Sequence, residues 1–344
     1  MPKMLRIEVV ELKEDQYAAW DHLVENSPQG TIFHTSAWLA TCGKLLNQKV
    51  KLLGCLHAGR LIAGCPFFAH TIFGLARLAY SISGMTPFGG VVLAQPTTSR
   101  NRQQENLSMK IIGSLCQSIA AYHFDHVQLT NSPALVDVRP FTWNGWSSKV
   151  RYAYYADTDV EFETHVNPKA MSHIRRAIKS GIAARKSEDV SAYCRLFLMT
   201  FQRQGIEPPV TESFLAHIFD LLKSRSWGEM WIAETASGEI ACAEILVWDS
   251  KRAYAWSAAS DTQLRKTGAT SLLLYREFEE LKRRGVKEYS LMSANIPSLA
   301  SFNSSFNPRL VSYYEVEKST LKFRIAREAA IASRRLFRRR TFSC

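Results

Sequence analysis

One order of predicted elements occurs twice in this sequence, and this repetition restricts the fold more than any single motif. Each half predicts two helices, a β-meander, a loop, a helix and a final strand. Two pairs of segments correspond: AGRLIAG (58–64) with SGEIAC (237–242), and SIAAYHFDHVQL (118–129) with ELKRRGVKEYSL (280–291). Chance similarity of short hairpins is the alternative. The sequence therefore predicts two copies of one mixed α/β unit.

An acidic stretch, YADTDVEFE at 155–163, separates the two halves. We therefore predict a first domain over residues 1–155, a second over residues 156–320, and a basic C-terminal helix or tail over residues 321–344. A chain of 344 residues is long enough for two domains of ordinary size. The fold class that follows is mixed α/β (α+β), with two tandem domains that each hold a mixed central sheet flanked by helices.

Seven cysteines are scattered along the chain without a C-x-x-C pair, and several lie in apolar, strand-like runs such as CAEILVW. This pattern favours buried thiols over a disulfide framework or a zinc site, so we expect no metal. The charged N-terminus is not typical of a signal peptide, and no apolar run reaches the roughly 18 residues of a membrane span. A cytoplasmic protein is therefore expected. The cysteines are residues 42, 55, 65, 116, 194, 242 and 344.

Positive charge is concentrated at the C-terminus. The net charge is +12, and residues 321–344 hold eight Lys or Arg residues against one Glu. Such a tail favours polyanionic surroundings, such as RNA, anionic lipid or a phosphorylated substrate. Its segment IASRRLFRRR could also form an interfacial helix that holds the protein at the inner face of an anionic membrane. A solvated helix whose charge aids solubility is the alternative.

Four longer motifs follow one another in the order found in a known family. They are GTIFHTSAWL (30–39), SHIRRAIKSGIAARK (172–186), WSAASDTQLRKTGATSLLLYREFEELKRRGVKEYSL (256–291) and SLASFNSSFNPRL (298–310). In this order they resemble the FemAB family, whose members carry two tandem GNAT-like acyltransferase domains. The resemblance covers nearly the whole chain. It implies transfer of an acyl or aminoacyl group to an amine of a cell-envelope or surface-glycan precursor.

The loop RKTGAT, at residues 265–270, precedes a predicted helix. In the GNAT fold the corresponding loop binds the donor pyrophosphate through backbone N–H groups and the helix dipole. The resemblance therefore implies acyl-CoA or aminoacyl-tRNA as the donor. Thr270 stands where the family has a small residue, and a loop that only begins a helix is the alternative. The residues assigned to the donor are Arg265, Lys266, Gly268, Ala269 and Thr270.

Two residues are candidates for the chemical step, which the family performs by direct attack of the amine on the donor. Glu244 is a lone carboxyl group in the apolar strand CAEILVW, where burial is costly unless the group is paired or protonated. The resemblance implies a general base there. Asn303 stands where FemAB relatives usually have lysine, and Asn307 replaces a glycine; an amide can still donate to an oxyanion. A strand residue that faces outward and a polar turn are the respective alternatives.

Eight further residues are candidates for substrate binding. Two glycines lie where relatives hold the acceptor, three residues lie on the strand beside the donor groove, and three basic residues share one helix face that can bind phosphates. The alternatives are a glycine turn, ordinary strand packing and a solvated helix face. The candidates are Gly89, Gly90, Tyr254, Trp256, Ser260, Arg175, Arg176 and Lys179.

Two functions stay open at this point. The first is an N-acyltransferase or aminoacyltransferase of the GNAT superfamily that uses acyl-CoA or aminoacyl-tRNA. The second is a degenerate, non-catalytic FemAB-like protein that binds a precursor and acts with a polysaccharide or peptidoglycan biosynthesis partner. The expected partners are an amine-bearing envelope or glycan precursor, tRNA for the aminoacyl reading, and anionic membrane at the basic tail; DNA is not expected.

Overall fold

The structure, a computed structural model, describes residues 6–72, 74–96 and 99–341. These residues form two units. The first unit holds the chain up to residue 150 together with the residues from 313 onward, and the second holds residues 151–312. The first unit is therefore discontinuous in sequence, whereas the second is one continuous segment.

The first unit begins with a strand and two helices, followed by the hairpin predicted at HAGR. Ala58 and Gly59 both have positive φ angles, as a two-residue hairpin turn requires. A long helix then precedes the next paired strand. The elements are β1 (Glu8–Glu11), α1 (Tyr17–Asn26), α2 (Ser36–Leu45), β2 (Lys49–His57), β3 (Arg60–Ile72), β4 (Ala76–Tyr80), β5 (Val92–Leu93), α3 (Asn101–Ala120), β6 (His126–Thr130) and α4 (Arg139–Trp143).

The second unit repeats this order, and its helices have clear start and stop residues. The Asp189 carboxylate accepts the N–H of Ala192 at 3.1 Å at the start of one helix, which ends at Gly205 in the left-handed conformation. The elements are β7 (Ser147–Asp157), α5 (Phe162–His165), α6 (Pro168–Lys179), β8 (Ala183–Ser187), α7 (Val190–Gln204), α8 (Glu212–Ser224), β9 (Gly228–Glu234), β10 (Ile240–Trp248), β11 (Ala253–Ser260), α9 (Ala269–Arg283), β12 (Glu288–Ser293) and α10 (Pro297–Asn303). Two elements follow: β13 (Arg309–Ser319), whose residues from 313 onward belong to the first unit, and α11 (Leu321–Thr341), which lies in the first unit.

Each unit is built on a mixed sheet. In the first unit the strand order is β1-β2-β3-β4-β6-β13, with β5 paired to β3. In the second unit the order is β7-β12-β11-β10-β9-β8. In each unit the described residues form one parallel pair, β4–β6 or β11–β12, whose strands are joined through a helix, α3 or α9. The prediction of a mixed α/β fold with two copies of one unit is therefore confirmed.

The core of the second unit lies between its sheet and helices on both faces. Helix α9 packs on β8, β9 and β10 and is covered by α6, whereas α7 packs on β10 and β11 beside α8. In the first unit, the largest buried side chains include Trp20 and Trp38. Six cysteines are buried and free, which agrees with the predicted buried thiols. They are Cys42, Cys55, Cys65, Cys116, Cys194 and Cys242.

The basic tail predicted at 321–344 is helical as far as Thr341. Residues 342–344, which include Cys344, lie outside the described residues. Over the part of the chain that the structure describes, none of the helices is both long and apolar enough to cross a membrane.

Candidate functional site

Strands β11 and β12 run parallel but pair only where both begin. The ladder joins Ala253 to Tyr289 and Tyr254 to Ser290, and the described residues beyond these pairs form no further ladder between the two strands. By contrast, β10 and β11 are paired over seven residues of β10. A gap at the carboxyl ends of parallel strands is a usual place for a ligand in an open α/β sheet.

Strand β11 contains a β-bulge just beyond its parallel pairing. Its register with β10 shifts so that Trp256 is an extra residue between Ala255 and Ser257. A bulge bends a strand and changes the face to which the following side chains point. As a result, the Ser257 hydroxyl hydrogen-bonds to Tyr193 of α7 on one face of the sheet, and Ser260 lies on the opposite face.

Strand β12 is irregular at the corresponding point. Its register with β7 shifts between Ser290 and Met292, and Met292 has a φ of +56°. A positive φ is uncommon for a residue with a side chain, and backbone strain of this kind is concentrated at functional sites. Both strands thus depart from regular geometry where the gap between them opens.

The loop from β11 to α9 ends at Gly268, the residue that precedes the first turn of α9. Its φ is +85°, and a Cβ atom there would lie 2.3 Å from the backbone oxygen of His173 in α6. Only glycine therefore lets α6 cross so close to the start of α9. The first N–H groups of a helix lack acceptors within it, and together with the helix dipole they favour an anion at this end.

Arg176, one of the three basic residues predicted on α6, contacts the loop before this helix start. The Arg176 guanidinium donates to the backbone oxygen of Lys266 at 3.2 Å, so α6 holds the loop directly. Arg265 and Lys266 are exposed in the loop, and Arg175 and Lys179 are exposed on α6. The structure therefore brings Arg176, which the sequence analysis assigned to the substrate, into contact with the loop that it assigned to the donor.

Thr270 stands where the GNAT pattern has a smaller residue, and its hydroxyl is turned inward. It hydrogen-bonds to the Cys242 thiol of β10, whose pKa burial raises to about 12. Ala269, the preceding residue, is buried. The first turn of α9 is thus fixed to the sheet by one small apolar residue and one internal hydrogen bond.

Glu244 forms part of a buried cluster that joins three elements. The Tyr289 hydroxyl of β12 lies 2.7 Å from Glu277 Oε2 of α9 and 3.3 Å from Glu244 Oε1 of β10. Burial raises the pKa of Glu244 to about 7, and burial together with the Glu244 charge holds the pKa of Glu277 well above its usual range. Two carboxylates this close in an apolar core cannot both be ionised at low cost, so at least one holds a proton near neutral pH.

Asn303 lies at the end of α10 and fixes the strand beside the gap. Its side-chain amide Nδ2 donates to the backbone oxygen of Leu291 in β12 at 2.9 Å, and the residue is 9% exposed. Asn307, which replaces the family glycine, adopts the left-handed conformation with a φ of +54°. Asparagine tolerates that conformation better than most residues, so the departure from the family pattern preserves the turn.

Three residues assigned to the strand beside the donor are held mainly by packing. Tyr254 is fully buried and donates its hydroxyl to Asp249 Oδ2 at 3.0 Å, across the turn between β10 and β11. Trp256 is the bulge residue and is almost fully buried, whereas Ser260 is half-buried at the end of β11. Of the three, Ser260 has the position best suited to contact a ligand.

Gly89 and Gly90 belong to the first unit, where the structure supplies a packing reason for both. A Cβ atom at Gly89 would lie 2.1 Å from the backbone oxygen of Ser81. Gly90 has a φ of +89°, and a Cβ there would lie 2.4 Å from Asn131 Oδ1. Their assignment to acceptor binding stays a prediction.

A family model and the solved structures give the same assignment. The model described as an acetyltransferase (GNAT) domain matches residues 168–297, which run from the start of α6 through the loop before α9 and through β12. This segment is a GNAT domain. No curated protein sequence matches the chain.

Solved structures share the tandem GNAT fold at low sequence identity. The crystal structure of FemX is 13% identical with a TM-score of 0.66, over 89% of this chain and 96% of that one. L-PGS from Bacillus licheniformis is 12% identical with a TM-score of 0.56, over 94% and 97%. A tandem GNAT protein from the clavulanic acid biosynthesis pathway is 14% identical with a TM-score of 0.54, over 91% and 98%. The resemblance to the FemAB family is therefore confirmed for the fold.

Sequence reasoning missed two residues of the GNAT domain that the structure places beside Glu244. Glu277 is fully buried on the apolar face of α9, between Leu274 and Leu281. Because Glu277 lies three and four residues from these leucines, the sequence pattern indicates that its carboxyl group faces the core. Tyr289 carried no such signal, because an aromatic residue in a strand is ordinary.

Proposed function

We propose that the second unit is an N-acyltransferase that takes its acyl group from acyl-CoA. The observation that carries this proposal is the position of the Gly268 helix start, at the carboxyl end of β11 and beside the gap between β11 and β12. A pyrophosphate on the first turn of α9 would direct the thioester arm into that gap. The GNAT match over residues 168–297 supports the same reading.

Charge supports the phosphate part of the proposal. Arg265 and Lys266 are exposed in the loop before the helix start, and Arg176 of α6 donates to the backbone of that loop. Their attraction for a polyphosphate adds to that of the helix N-terminus. The same surface would also attract the phosphates of aminoacyl-tRNA. This donor is therefore the alternative, and titration with coenzyme A and with tRNA distinguishes the two.

The acceptor we propose is a neutral amine on a cell-envelope or surface-glycan precursor. The amine would attack the thioester carbonyl directly, forming the C–N bond and releasing the CoA thiolate, while its extra proton passes to a base. Glu244 is the proposed final acceptor of that proton, because its raised pKa of about 7 suits a base near neutral pH. Since Glu244 is only 5% exposed, the proton would reach it through an intervening group.

The first test is calorimetric titration of the protein with coenzyme A and acetyl-CoA, and with uncharged tRNA at low and physiological salt. Gly268→Ala should lower the affinity for coenzyme A by about tenfold or more, because the helix start must move away from His173. Gly285→Ala is the matched control: Gly285 also has a positive φ, +74°, at the far end of α9, but no atom lies within 4 Å of its added Cβ.

Three outcomes distinguish the readings. Saturable binding of coenzyme A that Gly268→Ala weakens and Gly285→Ala preserves would support the proposal. Salt-sensitive binding of tRNA without binding of coenzyme A would instead indicate that the donor is aminoacyl-tRNA. Binding of neither ligand would favour the degenerate protein, which would act only by holding a precursor or partner.

A further inference from the structure

Helix α11 is attached to the first unit by one face of its first two turns. The Phe323 ring stacks on His126 of β6, with ring centroids 5.0 Å apart. One turn later, the Arg327 guanidinium pairs with the Glu317 carboxylate of β13 at 3.2 Å. These two residues are half-buried and four positions apart, so they mark the side of the helix that faces the unit.

The opposite side of α11 carries an exposed apolar stripe. Leu321 and Ile325 are 64% and 60% exposed, and Ala329 and Ala332 are exposed on the following turns. The spacing of four, four and three residues places all four on one face, about half a turn away from Phe323. In the sequence, Leu336 continues the same spacing.

Positive charge flanks this stripe. Lys322 and Arg324 are exposed beside it, and the sequence of the same helix continues with five arginines between 334 and 340 against the single Glu328. An exposed apolar stripe between basic flanks is the pattern of a helix that lies in the plane of a membrane surface. Nucleic acid would neutralise the cations but would leave Leu321 and Ile325 without an apolar partner.

We propose that α11 is an interfacial helix that binds an anionic lipid surface. The stripe of Leu321, Ile325, Ala329 and Ala332 enters the boundary of the acyl chains, and the flanking lysine and arginines lie at the lipid phosphates. The face with Phe323 and Arg327 stays attached to the first unit. This binding does not depend on acyl transfer, so it can be tested whether or not the proposed enzyme activity is found.

The experiment is flotation of the full chain with vesicles of phosphatidylcholine, and with vesicles of equal parts phosphatidylcholine and phosphatidylglycerol, at low and physiological salt. The protein is expected to float with the anionic vesicles only, and less so as salt rises. Ile325→Glu tests the stripe. Ile331→Glu is the matched control, since Ile331 is also exposed in α11 and the change of charge is the same, but it lies off the stripe.

Ile325→Glu is expected to lower vesicle affinity about tenfold more than Ile331→Glu, because only the former removes an inserted apolar side chain. Equal melting temperatures of both variants and the parent would exclude loss of folding as the cause. The proposal is overturned if the parent does not float with anionic vesicles at physiological salt, or if both variants lose the same affinity. It is also overturned if uncharged tRNA at physiological salt binds the parent and releases it from the anionic vesicles.

Discussion

Tyr289 has one hydroxyl proton and two buried carboxyl neighbours. Because Glu244 and Glu277 lie on different elements, β10 and α9, the tyrosine of β12 links that strand to the helix that packs on it. Glu277 Oε1 has no hydrogen-bond partner among the described residues. A second ionised carboxylate here would be both unpaired and repelled, so the cluster is stable only while it holds a proton.

This cluster predicts a pH dependence of stability. A carboxyl group whose pKa is raised by folding binds more protons in the native state than in the unfolded state between its ordinary pKa and its native one. Stability should therefore fall as pH rises from about 4.5 through about 7 and above, as the raised pKa values of Glu244 and Glu277 are approached. Glu277→Gln should reduce this fall, because an amide cannot ionise.

Melting temperatures measured from about pH 5 to pH 8 test this prediction. Glu279→Gln is the control on the same helix, since Glu279 is exposed and paired with Arg276 at the surface. The interpretation fails if Glu277→Gln and Glu279→Gln show the same pH profile as the parent.

At the scale of elements, a contact from α10 stabilises the irregular backbone of β12 on one side. Asn303 makes that contact through the Leu291 backbone oxygen. Asn303→Ala should destabilise the second unit by about 1–2 kcal/mol, because a buried carbonyl loses its donor. Ser304→Ala is the neighbouring control, as its exposed hydroxyl donates to the Ser301 backbone oxygen within the same helical turn. Urea unfolding curves measure both, and equal values would contradict the positioning role of Asn303.

Helices α6 to α9 and strands β9 to β12 of the second unit could be predicted from sequence, because apolar periodicity and turn residues are local signals. The loop before α9 could be predicted as well, since Gly268 is a turn residue ahead of a helical pattern, whereas its binding of a donor stays a prediction. The bulge at Trp256 and the contact of Asn303 with Leu291 could not, because they depend on register and on packing between elements. The helical spacing could have identified Glu277 as a buried residue, but it could not have shown that Glu277 lies beside Glu244.

At the scale of the whole molecule, the first unit depends on residues from the far end of the chain. The second half of β13 pairs with β6 from Glu315–Thr130 to Ser319–His126, and Val316 is fully buried. The sequence predicted two consecutive domains, because the acidic stretch near residue 155 can be recognised locally. The pairing of residues about 190 positions apart cannot be recognised in this way. Strand partners this distant leave no local pattern.

The pairing of β13 predicts different results from two truncations. A chain that ends at Thr320 lacks α11 but keeps β13, and its first unit should fold. A chain that ends at Ser312 leaves β6 with a free edge and should lose protection of the β6 amides by about a hundredfold or more. Hydrogen exchange resolved by mass spectrometry compares the two. Equal protection of β6 in both chains would refute the dependence.

The interleaved path of the chain also has a consequence for synthesis on the ribosome. The N-terminal residues emerge first, yet their sheet cannot gain its β13 edge until residue 319 has left the exit tunnel. The continuous segment 151–312 is synthesised before these residues, so the first sheet has an open edge during the synthesis of the whole second unit. Domains usually mature from the N-terminus onward. In this protein the first unit cannot complete its sheet before the second unit has been made, so we expect the edge of β6 to be open to chaperones while residues 131–312 are synthesised.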